Sequence, residues 1–197
     1  MRDKLTEILV PFDRAHDHEG RKEAEAEIWA KYGRDGAAFV LDLAGFTSGV
    51  AEIGLIGHLS RINHLLMQTD PIIATHGGTV IKHEADNCFA VFDDVGDAVA
   101  AAEACIVMLA ENGTSGGAGI AYGPILFIGE DFYGFAVNIA SKLGEDMANA
   151  GEILIEAGTA AMLVGDSKDP IERREKHSGN VVISAVVHYS LSWETRG

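Results

Sequence analysis

Apolar residues along the chain switch between a helical period and short continuous runs, and the switches mark the elements. From Leu5 to Tyr32 the apolar positions Leu5, Ile8, Phe12, Ala24, Ile28 and Tyr32 stand at helical offsets in a charged background. This predicts a short helix, a break, and a second helix over Glu19–Tyr32 ended by Gly33, with Pro11 and Gly20 as interruptions. Ala37–Leu43 is a nearly unbroken apolar run and reads as a first strand. Ile53–His76 carries Leu55, Ile56, Leu59, Ile62, Leu65 and Leu66 at helical spacing, with Pro71 dividing the region or starting a second helix. Thr79–Glu84 and Cys88–Phe92 read as two strands joined by a tight turn at Ala85–Asn87, and the alanine-rich Val95–Leu109 as a helix. Gly116–Tyr122 and Ile125–Gly129 read as a hairpin turning at Gly123 and Pro124, followed by a helix carrying Val137–Leu143. A short strand at Glu152–Glu156, a helical turn at Thr159–Leu163, a charged loop over Asp166–Gly179 and one long or two short strands over Val181–Leu191 complete the chain. The order predicts an α+β sandwich, with a mostly antiparallel sheet and helices on one side.

The length of 197 residues suits one well-cored domain. The division expected is an N-terminal helical extension over residues 1–35 and a single domain over residues 36–197. A formal charge of −15, without clustered Lys or Arg, argues against a nucleic-acid or anionic-membrane surface. No apolar stretch reaches the roughly 20 residues of a spanning helix, and the N-terminus lacks a signal-peptide pattern. A soluble, cytoplasmic protein without membrane insertion is expected. Cys88 and Cys105 fall inside apolar segments and read as reduced core thiols. The eight histidines show no HxxxH or HExxH spacing, which speaks against a zinc site.

The candidate chemistry begins with Asp42, the one carboxylate inside AAFVLDLAGF at Ala37–Phe46. A buried unpaired carboxylate is costly, so a cation is expected beside it, either a metal ion or a lysine. Asp86 repeats the arrangement between two strand-like halves, although Asp and Asn are also favoured turn residues for backbone reasons. Two isolated carboxylates on neighbouring apolar strands suggest a divalent-metal site. Gly45, Phe46, Thr47 and Ser48 form either an anion-meeting turn or an ordinary capped strand-to-helix connection. Asn138 and Lys142 stand four apart on one helix face, as a pair that shares a ligand or as a solvated polar stripe.

Read together, VLDLAGFTS, GGTVIKHEADNCFAVF, GIAYG and DFYGFAVNIASKL resemble the signature segments of the class III nucleotidyl cyclases, the adenylate and guanylate cyclase catalytic domains. The resemblance covers roughly residues 37 to 165. It implies a ferredoxin-like core working as a head-to-tail homodimer, with active sites built from both protomers. It also implies two divalent metal ions, Mg²⁺ or Mn²⁺. Asp42 and Asp86 match the metal-binding aspartates, and Leu43 would offer its backbone carbonyl to one metal. Gly45, Phe46 and Thr47 would form the turn beside the triphosphate. Lys82 matches the purine-reading position of adenylate cyclases, Asp131 its acidic partner, and Asn138 the asparagine that orients the ribose.

Adenine presents an amino donor and a ring-nitrogen acceptor on one edge, which a carboxylate and an ammonium can read together. The resemblance therefore implies conversion of ATP to 3′,5′-cyclic AMP and pyrophosphate. The chain departs from the family at Lys142, which stands where the family has an arginine that stabilises transition-state charge. Lysine keeps the charge and loses the planar fork, so a slow enzyme is expected. Phe135 and the HEA of His83–Ala85 depart as well, and Glu84 or His83 would add a ligand or spoil one. The alternative reading is a weakly active or inactive cyclase fold that serves as a nucleotide-binding or dimeric signalling module.

Overall fold

The computed structural model describes residues 2–44, 46–163, 172–178 and 181–191. In chain order the elements are α1 (Arg2–Arg14), α2 (His18–Tyr32), β1 (Gly33–Leu43), α3 (Phe46–Thr75), β2 (Thr79–Glu84), β3 (Asn87–Phe92), α4 (Val95–Glu111) and β4 (Gly116–Ile128). There follow β5 (Asp131–Tyr133), α5 (Phe135–Ser141), a π-helical segment (Lys142–Met147), β6 (Glu152–Glu156), α6 (Ala157–Ala160), β7 (Glu172–Ser178) and β8 (Val181–Ser190). Among the described residues no helix is long and apolar enough to cross a membrane.

The strands form one sheet in the order β2-β3-β1-β4-β6-β8-β7, with β5 hydrogen-bonded to β4. Its first four strands follow the β-α-β-β-α-β connectivity of a ferredoxin-like unit. All pairings are antiparallel except β4 with β6. The sheet is mostly antiparallel, as the sequence predicts.

Helices cover both faces rather than one. The reason lies in β1, whose apolar run leaves no wet side. Ala37, Phe39, Leu41 and Leu43 pack with Ile62, Leu65, Ile106 and Leu109 of α3 and α4. The alternate residues Ala38 and Val40 pack with Ala136, Ile139 and Ala140 of α5 and with Leu143. A period-2 strand in the middle of a sheet sends alternate side chains to opposite faces, so both faces need an apolar cover. A smaller cluster, Ile8, Ile28 and Ile128, seats α1 and α2 against the far end of β4.

Several boundaries differ from the pattern in the sequence. The break between α1 and α2 falls at residues 15–17, where Asp17 caps α2 by accepting the Gly20 N–H at 2.8 Å, and α1 continues through Pro11. The long helix α3 also runs through Pro71; its discontinuity lies at Gly54, whose φ of 75° and ψ of 163° suit glycine. β4 does not turn at Gly123 and Pro124. It stays extended because β1 reaches back to Gly33 and pairs there, Gly36 with Gly123 and Asp35 with Pro124. The chain reverses later, at Gly129 and Glu130, into β5. Within the stretch read as loop, Glu172–Ser178 is a strand on the sheet edge, pairing with β8. Its sequence ERREKHS has no apolar alternation to betray it.

Cys88 and Cys105 are buried free thiols, as expected. Burial pushes the Cys88 thiol up to about 12, and Cys105 is raised for the same reason. The β2–β3 hairpin turns through Ala85 and Asp86, and Ala85 has φ of 54°. The left-handed region costs a residue with a Cβ about 1–2 kcal/mol, part of which glycine gives back in unfolded-state entropy. Ala85→Gly is expected to stabilise the protein by roughly 0.5–1 kcal/mol and raise the thermal midpoint by about 2 °C. An unchanged or lower midpoint in calorimetry would mean that the turn carries no strain.

Candidate active site

Asp42 is the last but one residue of β1, facing Asn87 on one side and Gly117 on the other. Beside it the hairpin turn is tied down by a hydrogen bond from the Leu43 N–H to the Asp86 carbonyl, 3.2 Å. The two aspartates of the sequence pattern therefore meet at one end of the sheet. Burial raises the Asp42 carboxyl from 3.8 to about 6, and the charges of Asp86 and then Glu145 add to the effect. Glu145 is raised too, first by its own partial burial, then by Asp146, Glu84 and Asp86, against the pull of Lys142. A carboxyl raised by burial and by neighbouring carboxylate charges at a strand end marks a favourable place for a hard cation, and the oxygen-only donor set there fits Mg²⁺ or Mn²⁺.

A second group lies on β2 and β5. The Lys82 ammonium is 3.3 Å from Asp131 Oδ1 and 3.0 Å from Glu84 Oε2, and sits 5.1 Å from the centre of the Phe89 ring. Asp131 is held in place locally: Oδ1 accepts the Phe132 N–H at 2.9 Å and Oδ2 accepts the Tyr133 hydroxyl at 3.4 Å. Burial disfavours the Lys82 charge, but the hydrogen bonds to Glu84 and Asp131 outweigh it and hold the pKa above the ordinary lysine value. Phe89 stacks edge-on with Phe132, so the pair rests on an aromatic floor.

The third group is on α5 and the π-helical segment. Asn138 and Lys142 do share a face, and both line a cleft of about 430 Å³ with Phe135, Glu145, Asp146 and Ile183. The segment lies unusually close to the sheet. A Cβ on Gly119 would collide with the Ala140 carbonyl and Gly144 N–H, and one on Gly144 would press on the Val40 carbonyl. These two glycines let the backbone carrying Lys142 and Glu145 settle on β1 and β4. Lys142 Nζ is 3.5 Å from Asp146 Oδ2, which also takes Lys176 at 3.1 Å.

Gly45 lies outside the described residues, as do the side chains of Phe46 and Thr47, whose backbone opens α3. The sequence reading missed Glu145, Asp146 and Lys176. Glu145 and Asp146 stand three and four residues after Lys142, a spacing that places them on its face. Lys176 sits on a strand the pattern did not reveal.

No family model matches the chain, and no curated protein matches it. Among solved structures, the guanylyl cyclase Cya2 superposes with a TM-score of 0.68 at 20% identity, over 83% of this chain and 96% of that one. An adenylate/guanylate cyclase/hydrolase from Silicibacter pomeroyi gives 0.68 at 22% identity, over 81% and 98%. The adenylyl cyclase CyaB from P. aeruginosa gives 0.61 at 23% identity, over 84% and 99%. The chain thus has the fold of the class III adenylate and guanylate cyclase catalytic domains.

Proposed function

We propose that the protein is a nucleotidyl cyclase of the adenylate type, converting ATP to 3′,5′-cyclic AMP and pyrophosphate. The observation that carries this reading is the meeting of Asp42 and Asp86 at the end of β1, with the Asp42 carboxyl held up at about 6. Asp42, Asp86 and the Leu43 carbonyl would hold two divalent ions. Those ions would supply activation of the ribose 3′-hydroxyl and a counter-charge for the triphosphate.

The chain's own residues would do the rest. Lys82 donates to the adenine ring nitrogen while Asp131 accepts from the exocyclic amine; guanine, with its carbonyl and protonated ring nitrogen, would meet the wrong partners. Asn138 orients the ribose. Lys142 places a positive charge beside the phosphate as charge builds there, and the turn at Gly45, Phe46 and Thr47 flanks the triphosphate. A homodimer completes the arrangement. It is supported by exposed apolar residues around the cleft, Phe135 at 65% with the less exposed Val181 and Val182. Residues 1–35 serve as an N-terminal helical extension to a catalytic domain over residues 36–197, in a cytoplasmic protein.

The test is a product assay with ATP or GTP and Mn²⁺ or Mg²⁺, with cyclic nucleotide and pyrophosphate quantified. Cyclic AMP from ATP is expected, with several-fold less product from GTP. Equal turnover of both nucleotides would sink the adenine-reading role of Lys82 and Asp131.

One observation favours a second reading, a cyclase fold kept for binding nucleotide or for dimeric signalling. Lys142 stands in place of arginine and is drawn onto Asp146. An arginine at that position would reach two phosphate oxygens at once. Lys142→Arg is expected to raise kcat about tenfold, equivalent to about 1.4 kcal/mol of transition-state stabilisation. If neither form makes product while ATP binding still needs metal and Asp42, the binding module is the correct reading.

A further inference from the structure

On the other face of the sheet from Asp42, three side chains from three elements converge. Asp70 comes from α3, His83 from β2 and Cys88 from β3. One carboxylate oxygen, one imidazole nitrogen and the thiol sulfur all lie within 4.8 Å of one another. His83 Nε2 and Asp70 Oδ1 are 2.9 Å apart. Cys88 pairs in register with Leu41 and shares the α3/α4 core with it, whereas Asp42, one residue on, belongs to the opposite alternation. The trio is therefore separate from the carboxylates of the candidate active site.

We propose that Asp70, His83 and Cys88 form a second metal site, selective for a borderline transition-metal ion of the Zn²⁺ class. Three features argue for it. The donors are one each of O, N and S, a set that suits Zn²⁺ and is unsuited to Mg²⁺, which takes oxygen ligands. The donors lie within 4.8 Å of one another, and side-chain movements of up to about 1 Å bring them to the separations that bonds of about 2.0–2.3 Å to one ion require. The sulfur lies at the buried floor while the imidazole and carboxylate are partly exposed at the rim, with side-chain exposures of 31% and 44%. That leaves a fourth position open to water.

The lack of HxxxH and HExxH spacing does not bear on this site, because its ligands come from a helix and the two strands of a hairpin. Coordination would release the thiol proton to solvent and replace the Asp70–His83 contact by two bonds to the ion. The ion would clamp α3 to the β2–β3 hairpin, the element that carries Lys82, Glu84 and Asp86. Transition-metal binding thus stiffens the hairpin that bears the candidate purine and metal residues, while leaving its opposite face free.

Co²⁺ titration of the purified full chain in excess Mg²⁺ tests this, because a cobalt–thiolate bond gives a near-ultraviolet charge-transfer band and a tetrahedral site gives intense visible bands. One equivalent of Co²⁺, displaced by Zn²⁺, is expected. Cys88→Ser should abolish the charge-transfer band, and His83→Gln should weaken binding by about 100-fold or more, at least the loss seen when a supporting residue of a metal site is removed. Asp42→Asn should leave the spectrum unchanged. Since Cys88 is a core residue, His83→Gln and Asp70→Asn, both at the surface, decide the matter if the serine variant does not fold. Absence of a thiolate band, or binding unaltered in His83→Gln and Asp70→Asn, overturns the proposal.

Discussion

Replacing Asp42 by asparagine will lower cyclase turnover by about 10³-fold or more while making the metal-free protein more stable. The first half follows from the proposed role: a ligand whose loss removes a metal's stabilisation of the reacting oxygens forfeits several kcal/mol of transition-state stabilisation. The second half follows from its pKa. The folded value of about 6 lies above the ordinary value of 3.8, chiefly through burial and then through Asp86 and Glu145. Between those two values the folded protein binds more protons than the unfolded chain, so this group's contribution to stability falls as pH rises through the window. Above about pH 6 the full penalty is present, and it is the penalty asparagine removes. The shift would correspond to about 3 kcal/mol for a fully buried group. Asp42 is half-buried, and solvent screening reduces this to roughly 1 kcal/mol.

The comparison is therefore a pair of unfolding curves without metal at pH 7.5, the variant unfolding later, and a second pair at pH 4, where most of the difference is gone. Adding Mn²⁺ reverses the order, because only the wild type gains binding energy for its folded state. A variant that is no more stable without metal, or that is stabilised by Mn²⁺ as much as the wild type, would remove Asp42 from the metal site. A residue that lowers stability until its ligand arrives is a common feature of functional sites.

Much of this arrangement could be read from residues alone, and the part that could not has physical reasons. The run Ala37–Leu43 announced a strand, though not that helices would cover both of its faces, and its single charge pointed at Asp42 without any further information. Asp86 was legible as a turn residue, and the hydrogen bond from the Leu43 N–H to its carbonyl holds that turn beside Asp42. Lys82 and Asp131 are remote in sequence, so only the family resemblance, not their spacing, paired them. The 3.3 Å contact arises because β5 folds back over β4 close to β2. Glu145 went unnoticed because the chain loosens from α-helix to π-helix at Lys142, where the Gly119–Gly144 contact brings the backbone onto the sheet. The edge strand β7 was illegible for a different reason. Its inward residues, Arg174, Lys176 and Ser178, are polar, so neither face shows the apolar alternation from which strands are recognised.

Beyond its pairing with β8, that polar edge strand is anchored chiefly by one arginine, and its removal carries the largest stability loss expected here. Arg174 grips Glu152 of β6 with two hydrogen bonds, at 2.6 and 3.0 Å, and Glu172 of its own strand with two more at 3.2 and 3.0 Å. It also donates to the Met147 carbonyl at 3.2 Å, where the π-helical segment ends. Glu152 is 7% exposed and is also held by Asn149, whose backbone N–H donates to it at 2.7 Å. Burial alone would raise its pKa, but the Arg174 and Asn149 hydrogen bonds prevail and hold it below the usual carboxylate value. Arg174→Met would leave a buried carboxylate without its cation, which costs about 3–5 kcal/mol. The partial exposure of Arg174 puts the expected loss near the lower end, roughly 3 kcal/mol, or about 6–12 °C in thermal midpoint. The pH dependence identifies the cause. A carboxyl with a depressed folded pKa contributes stability above its unfolded pKa and loses it as pH falls through the folded one. In the variant the unpaired Glu152 takes up a proton more readily, so the gap between variant and wild type narrows from pH 7 to pH 4. The double variant Arg174→Met with Glu152→Leu should recover most of the loss, since it removes the stranded charge as well. A gap that stays constant with pH, or a double variant as unstable as the single one, would show that Arg174 acts through packing of its aliphatic stem. Because Arg174 also ties the end of the segment that carries Lys142 and Glu145, the single variant should bind metal and nucleotide more weakly even where it remains folded.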